Sequence, residues 1–166
     1  MASASISTPD NADVVAGLKG AMRRLASGVA IVTALGDDAP VGMAATSITS
    51  LSMAPPAVLV CVNQAAGLHA HLREGCPITI NLLSREQQDV SSAFGGAVAR
   101  ELRFGVGQWS SDEKGLPILK GAQASLSCSV DTLIPYGTHS IVIARVDSVT
   151  LSDDVDPLIF QDGKYL

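Results

Sequence analysis

Short blocks of apolar residues, separated by Gly, Pro and Asp, run through most of this chain. The first block differs from the others, because its apolar residues recur every three or four positions, and this spacing predicts an amphipathic helix. Asp10 or Asp13 would cap that helix, and Gly28 lies near its end. The apolar face consists of Val14, Leu18, Met22 and Leu25.

The later blocks are short and rich in β-branched residues, which is typical of strands. The predicted strands cover residues 29–35, 41–48, 57–63, 78–83, 122–133, 139–151 and 158–160. A turn at 36–37 makes the first two a hairpin, and Ser84 with Gln87 three residues later predicts the start of a second helix. The segment 64–75 has room for one helical turn, and 95–120 is predicted to be long and irregular.

The order of these elements predicts the fold class. Many strands, two short helices and no regular strand–helix alternation are typical of a mainly β protein built as an antiparallel barrel. Closing a sheet into a barrel also removes exposed strand edges. We expect residues 1–12 to form a flexible tail and residues 13–166 to form a single domain.

Composition and charge restrict the partners of such a domain. Hydrophobic residues make up 47% of the chain and charged residues 16%, so a large core or an interface must be buried, and we expect a homodimer. A net charge of −5 with scattered basic residues argues against a nucleic acid partner. The longest apolar run, 57–62, is too short to cross a bilayer, and residues 1–10 lack the pattern of a secretory signal. We therefore expect a cytoplasmic protein.

Few side chains form a recognisable catalytic group. The sequence has no Gly-x-Ser-x-Gly motif, no phosphate-binding loop and no histidine pair at metal-ligand spacing on a helix. His69 and His71 lie two residues apart, a spacing that points them to different faces of a helix. Cys61, Cys76 and Cys128 lie in apolar surroundings and are interpreted as buried thiols. We predict no metal site.

The most informative segment is 41–56, where small residues and hydroxyls dominate and a Pro-Pro pair follows. Such a segment lets a flat ring lie close to the backbone while amides and hydroxyls meet the polar edge of the ring. A strand at a crowded corner of the barrel would have the same composition. The residues alone do not choose between these two interpretations.

The ordered set of motifs resembles the flavin reductase family, whose members are the reductase components of two-component monooxygenases. The resemblance covers nearly the whole chain. The matching segments are 21–23, 28–33, 42–56, 61–63, 81–83, 103–104 with Trp109, 117–122, 137–139, and 157–160 with Gly163 and Tyr165. Two positions depart from the pattern of many relatives, namely Ala44 in place of Thr and the pair Ala66 and Gly67 in place of a Ser-containing loop. Backbone amides near Gly67 would then make the phosphate contacts.

The resemblance implies a homodimeric, Greek-key-like split β-barrel of the FMN-binding type. It implies NAD(P)H-dependent transfer of hydride to FMN or FAD, and delivery of reduced flavin to a partner monooxygenase. His139 is the implied catalytic residue, since the family's Gly-Thr-His motif places it near the nicotinamide, where an imidazole can also manage a proton. The implied flavin-binding residues are Gly42, Met43, Ala44, Ala45, Thr46, Ser47, Ser50, Leu51, Ser52, Cys61, Val62, Asn63, Ala66, Gly67, Arg103, Phe104 and Tyr165.

Several alternatives stay open at this point. Trp109 and Tyr165 fit ring stacking or plain packing equally well. The same barrel could be a noncatalytic flavin-binding or electron-relay module, a carrier of apolar ligands, or an oxidase or reductase of another cofactor. The sequence does not choose between FMN and FAD, or between NADH and NADPH.

Overall fold

Strands account for most of the ordered elements in this computed structural model, which describes residues 11–166. Two α-helices, α1 (Asn11–Met22) and α2 (Gln88–Ser92), accompany them. A π-helical turn covers Ala93–Ala97, and 3-10 turns cover His69–His71 and Arg100–Gly105. The strands are β1 (Ser27–Gly28), β2 (Ala30–Leu35), β3 (Pro40–Ala45), β4 (Ile48–Met53), β5 (Pro56–Asn63), β6 (Pro77–Leu82), β7 (Trp109–Ser111), β8 (Pro117–Leu119), β9 (Ala124–Tyr136), β10 (His139–Leu151), β11 (Ile159–Gln161) and β12 (Lys164–Tyr165).

Seven of these strands form one antiparallel sheet in the order β3-β2-β6-β9-β10-β5-β4. The two edge strands, β3 and β4, are consecutive in the chain and are joined only by Thr46 and Ser47. Within residues 11–166 no hydrogen-bonded ladder joins β3 to β4, so the barrel is split at that point. The mainly β, split-barrel fold expected from the sequence is confirmed.

Strand β2 shows how the sheet is covered on both faces. Ala30, Val32 and Ala34 point into the barrel and belong to the inner cluster, whereas Ile31 points outward into a second cluster. Thr33 also points outward, is fully buried, and donates from Oγ1 to the carbonyl of Pro117 at 3.1 Å. A strand that is buried on both faces carries a nearly continuous apolar run, as this one does.

The outer face of β2 and β6 is covered by the segment 93–120, which Asn81 holds in place. The Asn81 side chain is fully buried and its Oδ1 accepts hydrogen bonds from the Leu119 amide at 3.0 Å and from Ser125 Oγ at 2.8 Å. Its Nδ2 donates to the Ile31 carbonyl at 3.4 Å. A buried amide satisfied in this way fixes the neighbouring segment, because breaking its bonds leaves unpaired polar groups.

The strand predicted over 41–48 was wrong in its extent. Strand β3 ends at Ala45, and a separate strand, β4, begins at Ile48. The chain leaves β2 at this corner and pairs with β5 instead, so one continuous pattern of small residues serves two strands. This corner is the point where the barrel opens.

Each predicted helix differs from the structure at one end. The predicted first helix extended to Gly28, but α1 ends at Met22, because Ser27 and Gly28 are extended and pair with β11. The second helix begins at Gln88 instead of Ser84, whose backbone forms a bridge with Pro157. The Ser84 amide still donates to Gln87 Oε1 at 3.1 Å, which is half of the predicted capping arrangement.

Two further expectations concern the ends and the long segment. Asn11 and Ala12, assigned to the tail, belong to α1, and residues 1–10, including the proposed cap Asp10, lie outside the described residues. The segment predicted to be irregular contains the β7–β8 hairpin and two short helical turns. No helix in residues 11–166 is both long enough and apolar enough to span a bilayer.

Candidate functional site

The corner between β3 and β4 is built from small and hydroxyl-bearing residues. Ser47 is fixed to β5, since its Oγ donates to the Cys61 carbonyl at 3.1 Å and its carbonyl accepts from the Cys61 amide at 3.3 Å. Thr46 is exposed and lines three cavities of about 580, 440 and 170 Å³. The backbone of this corner is therefore open to a ligand.

Tyr165 forms one wall of the smallest of these cavities. Its hydroxyl lies 2.8 Å from Ser91 Oγ, and its ring packs edge-on against Phe160 with the ring centroids 5.3 Å apart. Ala44, Ala45 and Thr46 also line this cavity. Strand β12 thus brings Tyr165 next to the corner.

A second group of residues lies where β5 ends beside the start of the antiparallel strand β10. Asn63 is the register partner of His139, and its Oδ1 accepts a hydrogen bond from the Ala65 amide at 2.8 Å. Gln64 Nε2 donates to the His139 carbonyl at 3.1 Å, and Thr138 Oγ1 lies 2.9 Å from His139 Nδ1. These contacts fix both the loop that follows Asn63 and the orientation of the imidazole.

A cleft of about 380 Å³ separates β3 from the loop after β5. Gly67 lets the Arg100 side chain lie close to this loop, since a Cβ at residue 67 would lie only 3.1 Å from Arg100 Nη1. Arg103 also lines this cleft. Its Nε donates to the Val98 carbonyl at 3.1 Å, and its Nη1 donates to the Gly42 carbonyl at 3.5 Å. Two guanidinium groups therefore line one cleft beside the edge of β3.

Three aromatic side chains pack together next to this cleft, against β3. Phe94, Phe104 and Trp109 pack against one another with ring centroids 5.0 to 5.4 Å apart. Trp109 Nε1 donates to the Val106 carbonyl at 2.8 Å. A Cβ at Gly42 would approach Phe94 Cε1 to 2.8 Å, so only glycine fits at that point of β3 without displacing the ring. Phe104 and Trp109 therefore pack together instead of lining the cleft.

The structure brings most of the implied site residues to one side of the barrel. The residues that line the described cavities or lie at the ends of the neighbouring strands are Gly42, Ala44, Ala45, Thr46, Ser47, Asn63, Gly67, Arg103, His139 and Tyr165. Cys61 and Ala66 line none of these cavities and reach the group only through backbone hydrogen bonds with Ser47 and Asn63. Met43 and Val62 belong to the inner cluster, so only their backbone is available to a ligand. Ser50, Leu51 and Ser52 lie further along β4 and line none of these cavities.

Arg100, Ser91 and His71 were not among the site residues implied by the sequence. Arg100 and His71 line the same cleft as Arg103, and Ser91 lines the small cavity beside Tyr165. The signal for Arg100 was its spacing, since it precedes Arg103 by three residues. That spacing brings side chains together only if the segment is helical, which the sequence did not predict.

None of the three cysteines, Cys61, Cys76 and Cys128, lines this cleft. Burial, and then the charge of Asp147, raises the pKa of Cys128 to about 12, so this thiol stays protonated at neutral pH. Cys76 is buried as expected, whereas Cys61 is only half-buried, so that prediction was wrong for Cys61. In residues 11–166 no three His, Cys, Asp or Glu side chains come together in a way that would hold a metal ion.

The fold defines a class, namely split-barrel proteins whose main sheet is open between its two edge strands, β3 and β4. Residues 22–166 match the family model described as the flavin reductase like domain. The chain therefore belongs to the flavin reductase-like domain family, and the resemblance stated from the motifs is confirmed.

Two curated relatives are similar over most of their length. The reductase component of the FADH(2)-dependent resorcinol hydroxylase of Rhizobium sp. is 37% identical over 146 residues, which are 87% of this chain and 82% of the relative. The FMN reductase (NADH) RutF of Serratia proteamaculans is 34% identical over 145 residues, which are 87% and 83% of the two chains.

Two solved structures share the fold. The NADH:FAD oxidoreductase of Streptomyces globisporus C-1027, solved in complex with NAD and FAD fragments, has a TM-score of 0.84 at 29% identity, covering 96% of this chain and 95% of the other. The flavin reductase component BorF of a bacterial two-component tryptophan halogenase has a TM-score of 0.83 at 31% identity, covering 92% and 96%.

Proposed function

We propose that this protein is an NAD(P)H:flavin oxidoreductase that reduces FMN or FAD and supplies reduced flavin to a partner monooxygenase. The observation that carries the proposal is the open corner between β3 and β4, which small residues line, together with a separate cleft further along β3 that two guanidinium groups line. Family membership and the activities named for the relatives support it. We place the protein in the cytoplasm, where reduced nicotinamide is available.

The residues at the corner fit a flavin. Thr46 and Ser47 offer backbone amides and hydroxyls to the polar edge of a ring, and Ala44 leaves the ring room to approach the strand. Gly67 and Arg103 lie where a phosphate needs backbone amides and a cation. When bound, the flavin supplies the hydride-accepting chemistry, so the protein needs no nucleophile of its own.

The work of the chain is to hold two rings together. Fixing two reactants in near-attack geometry supplies on the order of 7 kcal/mol through avoided loss of orientational freedom. The hydrogen bond from Ser47 to β5 holds the corner in place. The segment that carries Phe94 and Phe104 closes the far side of the site. Because the flavin supplies the chemistry and the chain supplies the positioning, the site needs no conspicuous acid, base or nucleophile.

His139 is the residue that we assign to the nicotinamide. Its ring is oriented by Thr138 Oγ1, and its backbone is held by Gln64 beside the end of β5. His139→Ala removes a hydrogen-bonding group from the nicotinamide carboxamide or diphosphate, so the KM for NADH rises roughly tenfold while the flavin dissociation constant changes less than about twofold. Steady-state kinetics and flavin titration measure the two effects. The conservative His139→Gln variant recovers part of the loss, and equal losses for both ligands contradict the assignment.

The activity is tested by mixing purified protein, NADH or NADPH, and FMN or FAD without air. Bleaching of the flavin absorbance faster than in the protein-free control is the expected result. No acceleration with any of the four pairs rejects the proposal. A protein that binds flavin tightly but does not pass it hydride is the noncatalytic module instead.

The proposal includes a homodimer, and the reason lies in α1. Asn11–Met22 contains no buried residue, and Leu18 is 60% exposed on the apolar face of the helix. Lys19 and Met22 also line the cavity of about 440 Å³ that reaches Thr46 and Ser47. A second copy that covers α1 would therefore close over the corner as well.

This dimer is tested with Leu18→Glu, which places a charge on the face to be covered. Light scattering should give twice the chain mass for the native protein and a shift toward the single-chain mass for the variant. Leu102→Glu makes the same substitution at a similarly exposed leucine outside α1 and its cavity, so it is the matched comparison and should leave the mass unchanged. A native protein that remains a single chain at micromolar concentration contradicts this part of the proposal.

A further inference from the structure

The β11–β12 hairpin turns at Asp162 and Gly163, near the end of the chain. Their φ angles are +50° and +78°, and a two-residue turn with positive φ at both positions is the tight hairpin turn that Asp-Gly favours. The turn sets Phe160 opposite Tyr165. Because Tyr165 lies only two residues beyond Gly163, the position of the turn determines where the Tyr165 ring lies.

The residues that follow α1 hold this turn. Arg23 Nε donates to Asp162 Oδ1 at 2.9 Å, and Arg23 Nη2 donates to the Asp162 carbonyl at 3.2 Å. In return, the Asp162 amide donates to the Arg23 carbonyl at 2.9 Å. Gln161 Nε2 donates to the Arg24 carbonyl at 3.0 Å. A guanidinium is a planar fork of donors, so one side chain fixes both the carboxylate and the carbonyl of the turn.

The held hairpin borders two cavities that reach the same corner of the barrel. Phe160 and Tyr165 line the cavity of about 170 Å³, while Arg23 and Phe160 line the cavity of about 440 Å³. Thr46 lines both cavities. A shift of the hairpin would therefore change the wall of the corner on two sides.

The exposure of this contact indicates what it does. The Arg23 and Asp162 side chains are 62% and 70% exposed, and an ion pair this exposed adds little to the stability of a fold. Four hydrogen bonds nevertheless join residues 23–24 to residues 161–162. Their main effect is expected on the position of the hairpin, and only a small effect is expected on the free energy of unfolding.

We propose that Arg23 is a positioning residue for the flavin ring. Its contact with Asp162 holds the β11–β12 hairpin, and the hairpin in turn holds Tyr165 against the ring at the corner. Arg23 thus acts on the ligand through Tyr165. The inference rests on the proposed function, because it requires a flavin ring at that corner.

Fluorescence titration with FMN and with riboflavin tests this without turnover. Arg23→Met should weaken both ligands about fivefold. Riboflavin has the ring but no phosphate, so equal losses locate the effect at the ring. A loss confined to FMN would mean that Arg23 acts on the phosphate, and this result overturns the proposal.

Arg85→Met is the matched control for that titration. Arg85 Nε lies 2.8 Å from Asp156 Oδ1, the two side chains are 57% and 55% exposed, and neither lines the cavities at the corner. Arg85→Met should change both affinities less than about 1.5-fold. Equal losses in Arg23→Met and Arg85→Met overturn the proposal. Light scattering should give the native mass for both variants, and a lower mass for Arg23→Met alone would assign its loss to the dimer and overturn the proposal.

A double-mutant cycle tests whether the effect passes through Tyr165. When Tyr165→Ala has already removed the ring, adding Arg23→Met should change the riboflavin affinity less than about 1.5-fold. Losses that add in the double variant overturn the proposal. Arg23→Lys keeps the charge but not the planar fork, so it should recover only part of the affinity.

Gly163→Ala provides a second variant that keeps both charges. Its φ of +78° disfavours alanine, and the added Cβ would lie 3.1 Å from Arg23 Nη2. Riboflavin should weaken as in Arg23→Met. Gly115→Ala is the control, since Gly115 has a φ of +81° in the β7–β8 turn and a Cβ there meets nothing within 4 Å. Unchanged riboflavin affinity in both Gly163→Ala and Arg23→Met overturns the proposal even if one of them folds poorly.

Anaerobic turnover separates this inference from the proposed function. Arg23→Met should raise the KM for flavin about fivefold, while kcat at saturating flavin changes less than about twofold. If the native protein binds flavin but reduces none, the proposed function fails, and the titrations still decide the role of Arg23. If the native protein reduces flavin and Arg23→Met leaves the flavin affinity unchanged, only this inference fails.

Discussion

The inner and outer clusters of this barrel do different work. The inner cluster is mainly aliphatic and fills the interior of the barrel with side chains from seven strands. The outer cluster is aromatic at its centre, packs on the face formed by β3, β2 and β6, and ends at the cleft that Arg100 and Arg103 line. One cluster therefore determines the barrel, while the other positions the residues that line the cleft.

The largest effect is expected from a cavity in the inner cluster. Ile80 is fully buried, so Ile80→Ala should lower the free energy of unfolding by about 2–5 kcal/mol, because it removes packing from the centre of the barrel. Urea denaturation measures the change. Ile134→Ala, at a 45% exposed residue, should cost less than about 1 kcal/mol. Similar losses in the two variants would remove the distinction between interior and surface.

A smaller effect is expected where the outer layer is attached to the sheet. Asn81→Ala leaves the Leu119 amide and the Ser125 hydroxyl without their shared acceptor and should cost about 1–3 kcal/mol. Hydrogen exchange at Leu119 should accelerate more than exchange in β9 and β10, because the outer layer loosens first. Ser125→Ala, which removes one contact, should have a smaller effect. Uniform acceleration throughout the sheet would show that the two layers unfold together.

The smallest effect concerns a surface attachment of the same layer. A hydrogen bond from Ser129 and the charge of Lys114, in the β7–β8 turn, hold the pKa of Asp147 below its ordinary value. A lowered pKa stabilises the fold while the carboxylate is ionised, and this contribution is lost as the pH falls through the folded-state value.

Asp147→Asn should therefore cost less than about 1 kcal/mol at neutral pH, and the difference should shrink as the pH drops below about 4. Denaturation curves at several pH values measure this. Asp131→Asn, at a more exposed residue, is the comparison. If the difference in free energy of unfolding between the native protein and Asp147→Asn became larger in acid, a lowered pKa for Asp147 would be contradicted.

Local patterns predicted the strands well because each buried face repeats along the chain. The same alternation could have placed Val62 correctly, since Val58 and Val60 point inward with it. The strand change at Thr46 was not predictable, because the run of small residues continues unbroken from β3 into β4. Arg100 was missed for another reason. Its neighbours across the cleft come from a loop more than 30 residues away, and only the fold brings them together.

The uncovered face of α1 has a consequence for how this protein behaves at different concentrations. A helix without a buried residue contributes little to holding its own chain together. If association of two copies buries that face, mass action couples assembly to folding, and the thermal midpoint rises with the amount of protein present. As the protein is diluted, α1 would then lose its packing first, and the barrel would be destabilised only afterwards.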